Sequence, residues 1–215
     1  MTAPERTRAE ALLQKFTRAL CRLSLRIAVE GLERLPLEGP TVAVFNHLSV
    51  ADGPLLVSFL PRKGVFMVAR EFGRVPLLNW AITKVAAPIY VDRRARDRRP
   101  VLRARAVLEQ GGLLCLAPEG RVSPTGALSK AHQGAAFIAR AGAARLVPIA
   151  LHGTEKFWRQ WLRFRRPRVR IVVGEPFTLP SNQVSENTNV LMRKIADLLP
   201  PRYRGYYGIA HDANV

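Results

Sequence analysis

Apolar residues recur along this chain in short blocks whose period switches between 3.6 and two, and that switching lays out the elements. Residues 5–23 place Leu12, Leu13, Phe16, Ala19, Leu20 and Leu23 on one face and Arg8, Lys15, Arg18 and Arg22 mostly on the other, which predicts an amphipathic helix. Such a helix packs its apolar face on a core or lies on an anionic lipid surface. Residues 25–30 alternate and predict a strand, 31–40 a loop, and the β-branched run 41–45 a second strand. Residues 53–60 predict a short buried helix that stops at Pro61. The nearly all-apolar run 64–69 reads as a strand covered on both faces. A buried helix containing Trp80 is expected over 75–85, and a strand over 87–91 that ends at Asp92-Arg93-Arg94.

The second half continues the pattern. Residues 99–110 predict a helix closed by Gly111-Gly112. Residues 113–117 predict a strand that runs into the turn-rich loop 118–126. A helix over 134–141, strands over 146–150 and 169–173, and a helix over 184–199 follow, with a polar, mobile tail. Strands alternating with helices give an α/β fold: a mixed, largely parallel central sheet flanked by helices, preceded by the N-terminal amphipathic helix.

Composition narrows the setting. The 215 residues are 48% hydrophobic and 23% charged, as expected of one globular domain with a sizeable core. Cys21 and Cys115 suggest neither a metal site nor a disulfide framework, so a reducing compartment is expected. Mixed charge rather than an apolar run follows Met1–Arg6, so no signal peptide is expected. No stretch approaches the roughly 18 uninterrupted apolar residues of a spanning helix. The expected location is therefore the cytoplasmic side of the cell membrane, as a peripheral protein. A net charge of +18, from 34 Lys+Arg against 16 Asp+Glu, calls for an anionic partner: nucleic acid, an acidic membrane or phosphorylated small molecules. No nucleic-acid reader motif accompanies the charge, which disfavours the first.

The candidate chemistry gathers at strand ends, where α/β sheets place their sites. His47 follows the strand 41–45, and Asp52 stands five residues on, at the entry to a helix. A carboxylate that accepts the proton of one ring nitrogen fixes the tautomer and leaves the other nitrogen free as a base. Asp52 before Gly53-Pro54 is equally a good helix N-cap. Arg93 follows the strand 87–91, suited to an anion. Glu119 follows the strand 113–117 in Pro118-Glu119-Gly120-Arg121, where Glu119 is placed for a hydroxyl or an arginine and Arg121 for phosphate. The scattered histidines suggest no metal. No G-x-S-x-G, P-loop or G-x-G-x-x-G is present. In 158–166, aromatic and basic residues interleave (Trp158, Arg159, Trp161, Arg163, Phe164, Arg165, Arg166), a pattern suited to a membrane surface.

Taken together, Asn46-His47 to Asp52, Tyr90-Val91-Asp92-Arg93, Ala117-Pro118-Glu119-Gly120-Arg121-Val122-Ser123 and Val147-Pro148-Ile149 resemble, in order, the blocks of the glycerolipid acyltransferase family that includes lysophosphatidic acid acyltransferases. The resemblance covers roughly residues 25–175. The third block departs from the family's E-G-T-R-S, so its arginine lies one position early. The resemblance implies an O-acyltransferase moving a fatty acyl group from acyl-CoA or acyl carrier protein to a lysophospholipid hydroxyl, foremost 1-acylglycerol-3-phosphate. The alternative acceptors are lysophosphatidylethanolamine, a glycolipid or a lyso-ornithine lipid. It further implies His47 as general base and Asp52 as its orienter, with Asn46, Ser49, Arg93, Glu119, Gly120 and Arg121 binding the acceptor. No metal and no bound cofactor are expected. On this reading residues 1–24 form a membrane-facing helix and 25–215 the acyltransferase domain.

Overall fold

The predicted strands assemble into one seven-stranded sheet in the order β1 (Arg26–Glu30), β7 (Arg168–Val173), β6 (Arg145–His152), β2 (Thr41–Phe45), β5 (Leu113–Leu116), β3 (Gly64–Ala69), β4 (Ala87–Val91). The computed structural model describes residues 6–74, 76, 79, 82–83, 86–92 and 97–208. β2 pairs in parallel with both β5 and β6, and β3 in parallel with β5 and β4. β7 is antiparallel to β6, with β1 parallel to β7. The sheet is therefore mixed and mostly parallel, as the element order predicts.

The near-continuous apolar runs have a direct cause: the central strands are covered on both faces. Val42, Val44, Leu114, Leu116 and Leu146 point into one core, under α4 (Arg99–Glu109), α5 (Gly134–Ala141) and α7 (Val184–Asp197). Ala43, Phe45, Cys115, Val147 and Ile149 point into the other, under α2 (Asp52–Phe59), and the short α3 (Arg70–Gly73) follows β3. Each such leucine or valine contributes about 1.5–3 kcal/mol of transfer free energy on burial. Gly31, at φ 71°, turns the chain out of β1 where a Cβ would lie 2.2 Å from the carbonyl oxygen of Val173, so only glycine fits.

Connectivity positions the site. β2 hands the chain to α2 on one face, while its neighbour β5 hands it to α5 on the opposite face. Adjacent strands whose connections leave on opposite faces open a crevice at their carboxyl ends.

The helix α1 (Arg8–Ser24) begins at Thr7 in a capping box: Glu10 N–H donates to Thr7 Oγ1, and Thr7 N–H to the Glu10 carboxylate. Thr7 and Glu10 have the T-x-x-E spacing of that box, which marks the helix start two or three residues later than apolar periodicity does. Its orientation overturns the simpler expectation of an apolar face on the core. α1 meets α2 with polar groups: Gln14 Nε2 donates to the carbonyls of Val57 and Leu60, Arg18 Nε to Ser58, and Arg6 to Leu60 and Arg62. The last carbonyls of a helix have no intrahelical donor, and α1 supplies one. The apolar stripe consequently faces outward, with Leu12 66%, Phe16 65%, Leu20 50% and Leu23 74% exposed.

Two more expectations are corrected. β6 extends two residues beyond the expected end, to His152. The tail is packed through residue 208: Leu128 N–H donates to Tyr203 O and Tyr206 N–H to Leu128 O, and Tyr203 and Tyr207 are buried. Most of the helix expected over 75–85, including Trp80, lies outside the described residues. No helix among the described residues is long and apolar enough to cross a membrane.

Candidate active site

β2 is buried along its whole length, and the residue after it, Asn46, is buried too. Its side chain continues the sheet pairing, with Nδ2 donating to Leu151 O at 2.8 Å and Oδ1 accepting from Leu151 N–H at 2.7 Å. Both polar atoms are thus engaged by β6. This fixes the direction in which the chain leaves the sheet, and the next residue is His47.

His47 Nδ1 lies 2.9 Å from Asp52 Oδ2. The same oxygen accepts from the backbone N–H of Leu48 at 2.7 Å and of Ser49 at 2.8 Å. Asp52 is fully buried, whereas the His47 side chain is 22% exposed. A buried carboxylate at 2.9 Å assigns the proton to Nδ1 and leaves the lone pair on Nε2. The alternative reading of Asp52 as an N-cap is corrected: Ala51 holds that position and makes no side-chain cap. Three donors converging on Oδ2 outweigh one cap bond, and Oδ1 is buried without a protein partner. Ser49 is buried, its Oγ accepting from Ala51 N–H. The Phe45 ring stands edge-to-face to the imidazole, 6.2 Å between centroids.

Glu119 arrives from β5 and is also buried. One carboxylate oxygen accepts from His47 N–H at 3.1 Å, the other from Ser129 N–H at 2.8 Å. Ser123 N–H closes the lattice by donating to His47 O at 2.7 Å. Both Glu119 oxygens are therefore taken by backbone donors, not turned outward to a hydroxyl or an arginine. Ser123 contributes through its main-chain N–H, which leaves no side-chain signature in a sequence, and Ser129 through its main-chain N–H together with its side chain. Gly120, at φ 68°, makes the turn that aims Glu119 inward, and a Cβ there would lie 3.1 Å from the His132 ring. Arg121 is exposed on the same loop. Arg93 and Arg94 lie outside the described residues, and Asp92 just before them is 3.6 Å from Arg70. Among the described residues no group of three His, Cys, Asp or Glu side chains is placed to hold a metal.

Burial pushes the Glu119 carboxyl above its usual 4.5, with the two backbone N–H bonds opposing that rise. A carboxyl raised in the fold binds its proton more tightly there than in the unfolded chain. Its contribution to stability is full below about 4.5 and is lost as pH climbs through the raised value. Glu119→Gln removes this titration. Chemical denaturation of both proteins is expected to show wild type losing stability relative to the variant as pH rises through that window. A constant difference would rule the assignment out.

The family model described as Acyltransferase matches residues 26–152, more than half the chain. The chloroplastic 1-acyl-sn-glycerol-3-phosphate acyltransferase of Arabidopsis thaliana is 29% identical over 161 residues, which cover 70% of this chain and 43% of that protein. The 1-acyl-sn-glycerol-3-phosphate acyltransferase of Pseudomonas aeruginosa is 27% identical over 182 residues, 80% of this chain and 68% of that one. This chain thus spans under half the length of the first relative and about two thirds of the second. Among solved structures, the 1-acyl-sn-glycerophosphate (LPA) acyltransferase PlsC from Thermotoga maritima superposes with a TM-score of 0.68, covering 88% of this chain and 79% of that one. At 23% identity, that likeness speaks to the fold.

Proposed function

This chain belongs to the acyltransferase family whose model it matches across the sheet from β1 to β6, and on that premise we propose that it transfers a fatty acyl group from a thioester donor to a lysophospholipid hydroxyl. The observation that carries the reading is the His47–Asp52 pair, with Nδ1 held at 2.9 Å by a buried carboxylate and Nε2 left as the base. Nε2 takes the proton of the acceptor hydroxyl as its oxygen attacks the thioester carbonyl carbon. The tetrahedral intermediate collapses with cleavage of the carbon–sulfur bond. The leaving thiolate takes the proton back from the imidazolium, whose charge Asp52 stabilises throughout. No acyl-enzyme is formed. The donor is acyl-CoA or acyl carrier protein, and 1-acylglycerol-3-phosphate is the first acceptor by analogy with the names of the relatives.

Within this reading the residues divide. His47 and Asp52 are catalytic. Asn46 and Glu119 are positioning residues, since every polar side-chain atom of each is engaged by backbone groups. The Glu119→Gln variant separates this role from direct acceptor binding: kcat falls with acceptor KM unchanged if Glu119 acts through His47, and KM rises if it binds acceptor. Ser49, Gly120, Arg93 and Arg121 are assigned to the acceptor side, the two arginines to its phosphate.

The acceptor lives in a bilayer, and we assign the bilayer contact to the outward stripe of α1 and the turn that follows α6 (Phe157–Trp161). Trp161, Leu162 and Phe164 are exposed there, Phe164 fully and at φ 52°. Arg166 donates to the carbonyls of Arg22 and Leu25, which sets this turn beside the end of α1.

The deciding experiment is acyl transfer by the purified chain with a panel of lysolipids and both donor types, read by mass spectrometry. A diacyl product with lysophosphatidic acid is expected. Product only from another lysolipid would move the head-group assignment, and product from none would end the acyl-transfer reading.

A further inference from the structure

Lys15, Arg18, Ala19, Arg22 and Leu23, all on one face of α1, line a shallow, solvent-open groove. No carboxylate lines it, and Glu10, the acid of α1, is turned to Lys63 at 2.8 Å. The guanidinium groups of Arg18 and Arg22 both lie over the ring of Phe59, 5.7 and 6.0 Å from its centroid. Arg18 is pinned further by the bond from Nε to Ser58 O at 2.8 Å. Arg18 is thus held in place before any ligand arrives, which lowers the ordering cost of binding, and Arg22 stands beside it over the same ring. The planar guanidinium matches phosphate oxygens bidentately, and the nearby ammonium adds a third donor group. Beside them on the same helix stand Phe16, Leu20 and Leu23, exposed to solvent. A groove of cations flanked by exposed apolar side chains matches one ligand end to end: a phosphate at the level of the cations and acyl chains beside the stripe.

We propose that this groove is a binding site for the phosphate-bearing headgroup of an anionic bilayer phospholipid, separate from the acceptor site at His47. It rests on the reading of α1 as the membrane-facing helix. The groove fixes which face of the sheet is turned to the bilayer, because α1 is hydrogen-bonded to α2, which covers that face and begins at Asp52.

The test is vesicle co-sedimentation of the full chain. Three vesicle types are used: phosphatidylcholine alone, phosphatidylcholine with phosphatidylglycerol, and phosphatidylcholine with oleate matched to the second in zeta potential. Wild type is compared with Lys15→Gln/Arg22→Gln and with Arg103→Gln/Arg193→Gln. The second variant removes the same charge from exposed positions on α4 and α7, across the sheet. Thermal midpoints check that each variant is folded. Removing two surface-proximal cations is expected to weaken binding to phosphatidylglycerol vesicles roughly 10–30-fold, and the remote pair by less than about threefold. Wild type is expected to prefer phosphatidylglycerol over matched oleate vesicles. Equal losses in the two variants, or equal binding to phosphatidylglycerol and oleate vesicles, would overturn the groove as a headgroup site while α1 stays the membrane-facing helix. No binding of wild type to any vesicle would instead remove the membrane-facing reading itself.

Discussion

Replacement of His47 by alanine is expected to lower kcat for acyl transfer by on the order of 10²–10⁴-fold, the usual contribution of a positioned general base, equivalent to about 3–5 kcal/mol of barrier. The fold should lose the imidazole's bond to the buried Asp52 carboxylate, about 1–3 kcal/mol, and otherwise register little. The main-chain N–H and C=O of His47 carry the links to Glu119 and Ser123, and alanine keeps both. The imidazole itself is partly exposed and fills no core cavity. Circular dichroism is therefore expected to stay close to wild type and the thermal midpoint to fall by several degrees, with the protein still folded at assay temperature, while product formation collapses. A purified, folded His47→Ala protein with more than about a tenth of wild-type kcat would show that another group takes the proton.

Asp52 separates electrostatics from structure in a way His47 does not. Its Oδ2 is the common acceptor for one imidazole and two backbone N–H groups. Asp52→Ala leaves the Leu48 and Ser49 N–H donors buried without a partner, at a cost of about 1–3 kcal/mol each. Loss of activity there would be uninformative, because the loop that carries His47 is itself released. Asp52→Asn is the sharper variant. Its amide oxygen can take the place of Oδ2 and keep the three donors, while its amide NH2 falls where Oδ1 has no partner, so stability should fall by about 1–3 kcal/mol with the loop still anchored. The negative charge that stabilises the imidazolium is gone, and kcat is expected to fall on the order of 10²-fold or more. Denaturant titration and steady-state kinetics on the two variants check both halves. An Asp52→Asn enzyme with wild-type kcat would reduce Asp52 to a loop anchor.

The parts of the site differ in how they can be read from sequence. His47 and Asp52 are side-chain chemistry at short separation, on either side of a strand-to-helix turn, so their pairing is a local event that spacing allows and the order of the four blocks singles out. Glu119 is visible as a polar residue at a strand end, but its task is not. Only when β5 is seated next to β2 do its oxygens meet the N–H of His47 and Ser129. Asn46 is similar, for its partner Leu151 is brought alongside by the pairing of β2 with β6.

The sequence by itself determined the α/β class and the described strands, because each depends on periodicity within a few residues, and the order of the four blocks along the chain, rather than spacing alone, singled out the candidate base with its carboxylate. Tertiary structure alone decided the strand order, the hydrogen-bond partners of Glu119 and Asn46, and the outward turn of α1. These depend on which backbone donors and acceptors are left without partners once the sheet is assembled, and residues far apart in the chain supply the missing partners. The apolar stripe of α1 shows the difference most plainly. Its periodicity predicts a helix, but the orientation was set by the free carbonyls at the end of α2.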